Sequence, residues 1–184
     1  MQVIQGKLDL SVLNLDGSHA LAKKGGEGVA YRGRKRAMTS NILPITDHNG
    51  YIVATTDIVA GNHNEAFELK PHLQSAFKAM KRLGLSIATG HFNADSAFDT
   101  LDARKVCFNH HVIAENKHNR KFAKLGCKRF FDATIYKDHF ASERTIAWID
   151  KFRALLVRFN IKKIYFMVSH FLTFTLINLR NSLP

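Results

Sequence analysis

The stretch that most constrains this chain is the run Leu8-Asp-Leu-Ser-Val-Leu-Asn-Leu-Asp16, followed by Gly17-Ser-His19. Residues 7–16 are too continuously apolar for a strand with one wet face. They read as a strand in the middle of a sheet covered on both sides. The run ends in a carboxylate and then a glycine turn. That order sets Asp16 at a sheet edge, facing a cleft.

The rest of the chain supplies elements to surround such a strand. Residues 42–46 and 51–56 are β-rich runs separated by Asp47-His-Asn-Gly50, so they read as a hairpin. Pro44 lacks an N–H and belongs at an edge or a bulge. A helix follows, with Pro71 in its first turn, Gly84 just past its end, and Leu69, Leu73, Phe77, Met80 and Leu83 on one stripe. The run into Asp95 reads as a second strand ending in a carboxylate. Residues 96–99 then open a short helix, and 106–114 read as a further strand. Residues 142–159 read as one helix, with Trp148, Phe152, Leu155 and Phe159 on its apolar face and Arg144, Lys151 and Arg158 on a cationic one. Glu143 stands at its start. Residues 164–179 are apolar, but they contain Ser169, His170 and Asn178 and fall short of the roughly 20 residues a membrane span needs. They are expected to form a buried terminal helix, with no membrane partner. Alternation of this kind predicts an α/β fold, a mixed sheet flanked by helices, in one domain over 1–184.

Charge narrows the partner. The 184 residues carry a net charge of +12, which points to a polyanion and most simply to nucleic acid. Lys23, Lys24, Arg32, Arg34, Lys35 and Arg36 lie in a glycine-rich stretch that cannot pack a core and suits phosphate contact. Residues 115–128 are also basic and read as a loop facing the partner. No signal peptide is visible at the start, and Cys107 and Cys127 make no disulfide framework, so a reducing, cytoplasmic setting is expected. The ten histidines show no zinc-binding spacing, and the phosphate-loop and nucleophile-elbow motifs are absent.

The carboxylates then decide the chemistry. Neighbouring strand ends lie about 5 Å apart, so Asp16 and Asp95 on adjacent strands could share a divalent ion. Glu143, on a helix laid across the sheet, would complete the set. Oxygen ligands without Cys or His favour magnesium or manganese over zinc, and such ions serve phosphodiester chemistry.

Several motifs together resemble the catalytic domain of bacterial insertion-sequence transposases of the DDE type. They are Leu15-Asp-Gly-Ser-His19, Gly25-Gly-Glu27 with Tyr31-Arg-Gly-Arg-Lys35, Gly61-Asn-His63, Asn93-Ala-Asp-Ser-Ala-Phe-Asp99, and Tyr136 through Glu143-Arg-Thr-Ile-Ala-Trp148. The resemblance implies a ribonuclease H-like fold. It makes Asp16, Asp95 and Glu143 the catalytic, metal-binding triad and Mg2+ (or Mn2+) the cofactor. The activity it implies is cleavage of double-stranded DNA at transposon ends, followed by strand transfer into a target. It also implies a bacterial, nucleoid-associated setting and a homodimer on DNA. Tyr136, Arg144 and Lys151 join the basic loop as DNA contacts. Many members carry Tyr-x-x-Arg-x-x-x-Glu-x-x-x-x-x-x-Lys around the Glu. Here His139 stands in the Arg position and Asp150 in the Lys position, with Lys151 next to it. The N-terminal DNA-binding region usual before the first Asp is expected to be absent. The alternative expectation is therefore an inactive, truncated DNA-binding remnant. A stand-alone ribonuclease H-like nuclease is a third.

Overall fold

The structure is a computed structural model and describes residues 6–64, 66–115 and 131–183. It is a mixed α/β architecture with two mixed sheets flanked by helices. The strands are β1 (Val12–Leu15), β2 (Ser18–Ala22), β3 (Ala30–Arg32), β4 (Ala37–Ile42), β5 (Pro44–Thr46), β6 (Ile52–Thr55), β7 (Val59–Ala60), β8 (His91–Ala94), β9 (Ile113–Ala114) and β10 (Val157–Arg158). The helices are α1 (Leu69–Arg82), α2 (Leu101–Asn109), α3 (Ala133–Tyr136), α4 (His139–Ile149), α5 (Arg153–Leu156) and α6 (Lys163–Ser182).

The first sheet has the order β6-β5-β1-β8-β9. β1 is central: antiparallel to β5 on one side, parallel to β8 on the other. β5 pairs antiparallel with β6, and β8 pairs parallel with β9. One face of this sheet meets α1 and α2, through a core containing Leu13, Leu15 and Phe92 from the strands, Leu73, Phe77 and Met80 from α1, and Val106 and Cys107 from α2. Phe77 meets Phe92 edge-on, with ring centroids 5.8 Å apart. A second core joins Ala20, Ile42 and Ile52 to Ile149, Leu155, Phe166 and Ile177 of α4, α5 and α6. The second sheet, β10-β2-β4-β3 with β7 on β4, continues the first. The chain steps straight from a strand of one sheet to a strand of the other at Asp16-Gly17, at Leu43 and between β6 and β7, and Leu43 and Thr56 exchange hydrogen bonds where the last two crossings meet.

β1 is shorter than the run that predicts it. Asp9 N–H donates to Asp47 Oδ2 and Ser11 N–H to Asp9 Oδ1, so these two N–H groups go to side chains instead of to a neighbouring strand. Leu8 and Leu10 still pack on the core. The expected hairpin forms as β5–β6, and Pro44 opens β5, where no ladder N–H is needed. α1 forms as expected, and Gly84 follows it at φ +74°, the left-handed conformation that ends a helix. Leu83, assigned to its apolar stripe, is half exposed.

Three expectations fail. Residues 106–114 are not one strand. Thr100 caps a helix by accepting from Ala103 N–H, and Ala103, Val106 and Cys107 recur at helical spacing toward the core, which leaves only Ile113–Ala114 as strand. Residues 142–159 are not one helix. α4 stops at Ile149, α5 is a single turn, and Val157–Arg158 becomes a strand parallel to β2. The cationic stripe therefore dissolves. Arg158 is fully buried, donating to the carbonyls of Asn160, Glu27 and Ile161. Lys151 lies over the Trp148 ring. Finally, α6 is not a buried helix: one face packs and the other is open. Among the described residues, no helix is long and apolar enough to cross a membrane. The basic loop expected at 115–128 falls, from 116 on, outside the described residues, as does Cys127. Cys107 is buried, and burial pushes its thiol up to about 12.

Candidate active site

Asp16 follows the last residue of β1, and Asp95 follows the last residue of β8. The two strands are parallel and in register, with Leu15 opposite Ala94. The two carboxylates therefore leave adjacent strands at the same end, which is the arrangement the sequence predicts. Each is fixed by its own turn: Gly17 N–H donates to Asp16 Oδ1 at 2.7 Å, and Ser96 N–H donates to Asp95 Oδ1 at 2.9 Å. Asp95 thereby caps the 3-10 turn Ser96–Phe98.

Two helices close over this end. Buried Glu115 accepts from Asp132 N–H and so ties the start of α3 to the sheet. Asp132 then caps α3 through Thr134 and Ile135 N–H. Tyr136 at its end reaches Asp95 Oδ1 at 3.5 Å and stacks on His139, whose ring is 5.6 Å away and nearly parallel. Glu143 lies one turn beyond His139 on α4 and is exposed. The electrostatics join these groups. Burial pushes the Asp16 carboxyl above the usual range. The charges of Asp95 and Glu143 push it the same way, against the Gly17 N–H and His139. Tyr136 is pushed up to about 12, first by burial, then by Asp95, with Glu143 and Asp16 adding to it. Asp16, Asp95, Glu143 and Tyr136 thus share one neighbourhood. Among the described residues, no three His, Cys, Asp or Glu side chains close on a single point in a metal-holding geometry.

His139, which stands where the resemblance expects Arg, is buried, and its Ser142 neighbour donates to its carbonyl. It cannot replace an exposed phosphate contact. Arg144 donates to Asn49 O, over the β5–β6 turn rather than toward the carboxylates. The basic residues 23–36 do not adjoin Asp16 in space. All of β2 intervenes, about 17 Å at the rise of a strand. Lys23 and Lys24 follow β2, while Arg34, Lys35 and Arg36 form the β3–β4 turn at the same end of the second sheet. α4 lies between the two regions: Glu143 acts on the charge of Asp16, and Asp150, just past the end of the helix, feels the charge of Lys35.

Sequence reasoning missed the support under the carboxylates. Asn14 and Asn93 are opposite each other on β1 and β8, both fully buried. Each stands two residues before its Asp, on the same face of its strand. Asn93 Nδ2 donates to Asn14 Oδ1 at 3.1 Å and to Ile135 O at 2.8 Å, binding the two strands to each other and to α3. The signal was available in the doubled pattern Asn14-Leu-Asp16 and Asn93-Ala-Asp95.

No protein-family model matches the chain, and no curated protein matches it. Among solved structures, the fold is similar to the Mos1 transposase paired-end complex with left transposon end, at 12% identity and a TM-score of 0.41, over 56% of this chain. The chain matches 34% of that protein's length.

Proposed function

We propose that the chain is a transposase catalytic domain of the DDE type, cleaving DNA at transposon ends and joining the freed 3′ hydroxyl to a target strand. One observation carries the reading. Two carboxylates leave adjacent parallel strands at the centre of a mixed sheet, and a third, from a helix across it, acts on the charge of the first. The order β6-β5-β1-β8-β9, an antiparallel hairpin on one side of β1 and parallel strands on the other, supports a ribonuclease H-like fold.

The donor set is all carboxylate, the chemistry a hard divalent cation prefers, although among the described residues the three groups do not close on one point and would have to draw together to hold an ion. Asp16, Asp95 and Glu143 would hold Mg2+ or Mn2+. When bound, such an ion polarises a phosphodiester and activates the attacking oxygen. The chain's own residues do the positioning. Gly17 and Ser96 N–H groups each take one carboxylate oxygen and fix the rotamers of Asp16 and Asp95. Tyr136 stays protonated at every working pH and keeps its hydroxyl on Asp95. Lys23, Lys24 and the β3–β4 turn offer the far end of the second sheet to DNA phosphates.

The test is nicking, with Mg2+ or Mn2+, of duplex DNA bearing the sequences that flank the gene on each side. Asp16→Asn and Asp95→Asn should each abolish it, and nicking retained in both refutes the assignment. A second reading, a DNA-binding remnant without cleavage, draws on the open spacing of the acidic groups and on buried His139. It is supported if the chain binds DNA with a steep salt dependence and never cuts. Cleavage of RNA–DNA hybrids instead would mark a stand-alone nuclease.

A further inference from the structure

A helix that is apolar all round belongs inside a protein, and α6 is nearly so. Phe166, His170, Phe174 and Ile177 face the core. On the opposite side Tyr165, Val168, Leu172, Leu176, Leu179 and Leu183 form a seam at steps of three and four residues, each between 44% and 71% exposed. Ile164 and Phe171 widen it at 61% and 53%. Together these side chains leave about 800 Å2 of apolar surface bare, more than the largest patch of an ordinary monomer. That is about what each partner brings to a standard interface.

We infer that this face of α6 is a self-association seam, on which a second copy of the chain lays its own α6, without DNA. The helix carries no acidic residue and no charge between Lys163 and Arg180. A partner chosen by charge finds nothing to pair with there, and an anionic membrane would need cations along the helix that it lacks. The two cations at its ends are engaged within their own copy. The Lys163 ammonium pairs with Asp57, and Arg180 lies over Trp148, 3.3 Å from the ring centroid. Two copies can therefore approach without burying an unpaired charge. The occupant that fits is a straight apolar helix about 30 Å long, and each copy presents one. This inference goes beyond the catalytic reading and does not depend on it.

The experiment is sedimentation equilibrium of the full chain at about 10 μM without DNA. The expected mass is twice 20.8 kDa. Leu172→Glu, at an exposed position, should give a monomer with unchanged circular dichroism and melting temperature. Should that variant misfold, Leu172→Ala should weaken the dimer at least tenfold. Leu172 stands at the midpoint of α6, so Leu172→Cys in a Cys127→Ser background should crosslink with a short bis-maleimide whichever way the helices run. A monomeric wild type overturns the inference, whether or not it binds phosphatidylglycerol vesicles. So does a dimer that both Leu172 substitutions leave intact, or a Leu172→Cys chain that does not crosslink.

Discussion

Asn93→Leu isolates the support beneath the carboxylates. The substitution removes both hydrogens donated by Nδ2 and leaves Asn14 Oδ1 buried without its donor, while Ile135 O keeps the Asp138 N–H at 3.0 Å. A buried polar group stripped of its partner costs about 1–3 kcal/mol and the lost bond to Ile135 about 1 kcal/mol, so the variant should lose about 2–4 kcal/mol. At about 2–4 °C per kcal/mol for a chain of this size, the midpoint should fall by about 4–16 °C. Asn14→Leu is milder, about 1 kcal/mol, because Asn93 keeps its bond to Ile135. The double variant removes Asn14 Oδ1 along with its donor, so that acceptor is no longer orphaned, and it should cost at least 1 kcal/mol less than the two single losses added. Urea unfolding followed by fluorescence reads all three, since Trp148 is the only tryptophan. A loss below about 0.5 kcal/mol for Asn93→Leu, or strict additivity in the double variant, would refute the claim that this pair binds β1, β8 and α3 together.

Asp16→Asn should raise the melting temperature at pH 7. A carboxyl whose folded pKa is raised contributes stability below its unfolded value near 3.8 and loses it as pH rises through the folded one, so the gain from Asn should fade in acid; a variant less stable at pH 7 contradicts this. Thr100→Ala removes the α2 cap and should cost about 1 kcal/mol by denaturant titration, with no effect meaning that Ala103 N–H finds another acceptor. Gly61→Ala would drive a methyl into Thr39 Oγ1 and set it 2.7 Å from the Thr39 carbonyl oxygen, against backbone held in β4. It should cost about 2–3 kcal/mol, and a neutral result would place β4 elsewhere.

The two strand-end carboxylates were legible because local sequence carries them: an apolar run, then Asp, then a turn. α1 was legible for a similar reason, with its stripe, Pro71 and Gly84 all agreeing. β4 was not, because Thr39, Ser40 and Asn41 carry no apolar pattern to mark a buried strand. They are buried because β2 pairs on one side of β4 and β3 and β7 pair on the other, a fact of tertiary context. The 142–159 stripe misled for the opposite reason. Helical spacing persists across a break at 150–152, yet β10 gains a parallel partner in β2 by leaving the helix. Chain order alone sets the basic stretch close after Asp16, whereas a strand runs straight and carries its next loop away.

That displacement sets a scale for DNA. β2 separates Asp16 from Lys23 by about 17 Å, and B-DNA rises about 3.4 Å per base pair. A duplex cut at the carboxylates and held at the β3–β4 turn would be gripped about five base pairs from the break. α4 lies between the two regions: Glu143 acts on the charge of Asp16, and Asp150 feels the charge of Lys35. Replacing Arg34, Lys35 and Arg36 together by Ala should weaken DNA binding at every sequence. Each phosphate that a cation neutralises contributes about 0.9 to the slope of log affinity against log salt, so without these three the slope should fall by about 2–3. Cleavage at saturating DNA should survive, since none of the three touches the carboxylates. Phosphate ethylation should interfere most strongly about five base pairs from the cut in the wild type and lose that signal in the triple variant. An unchanged salt slope, or interference confined to the scissile phosphate, would mean that the turn does not hold DNA and that the grip lies elsewhere on the chain.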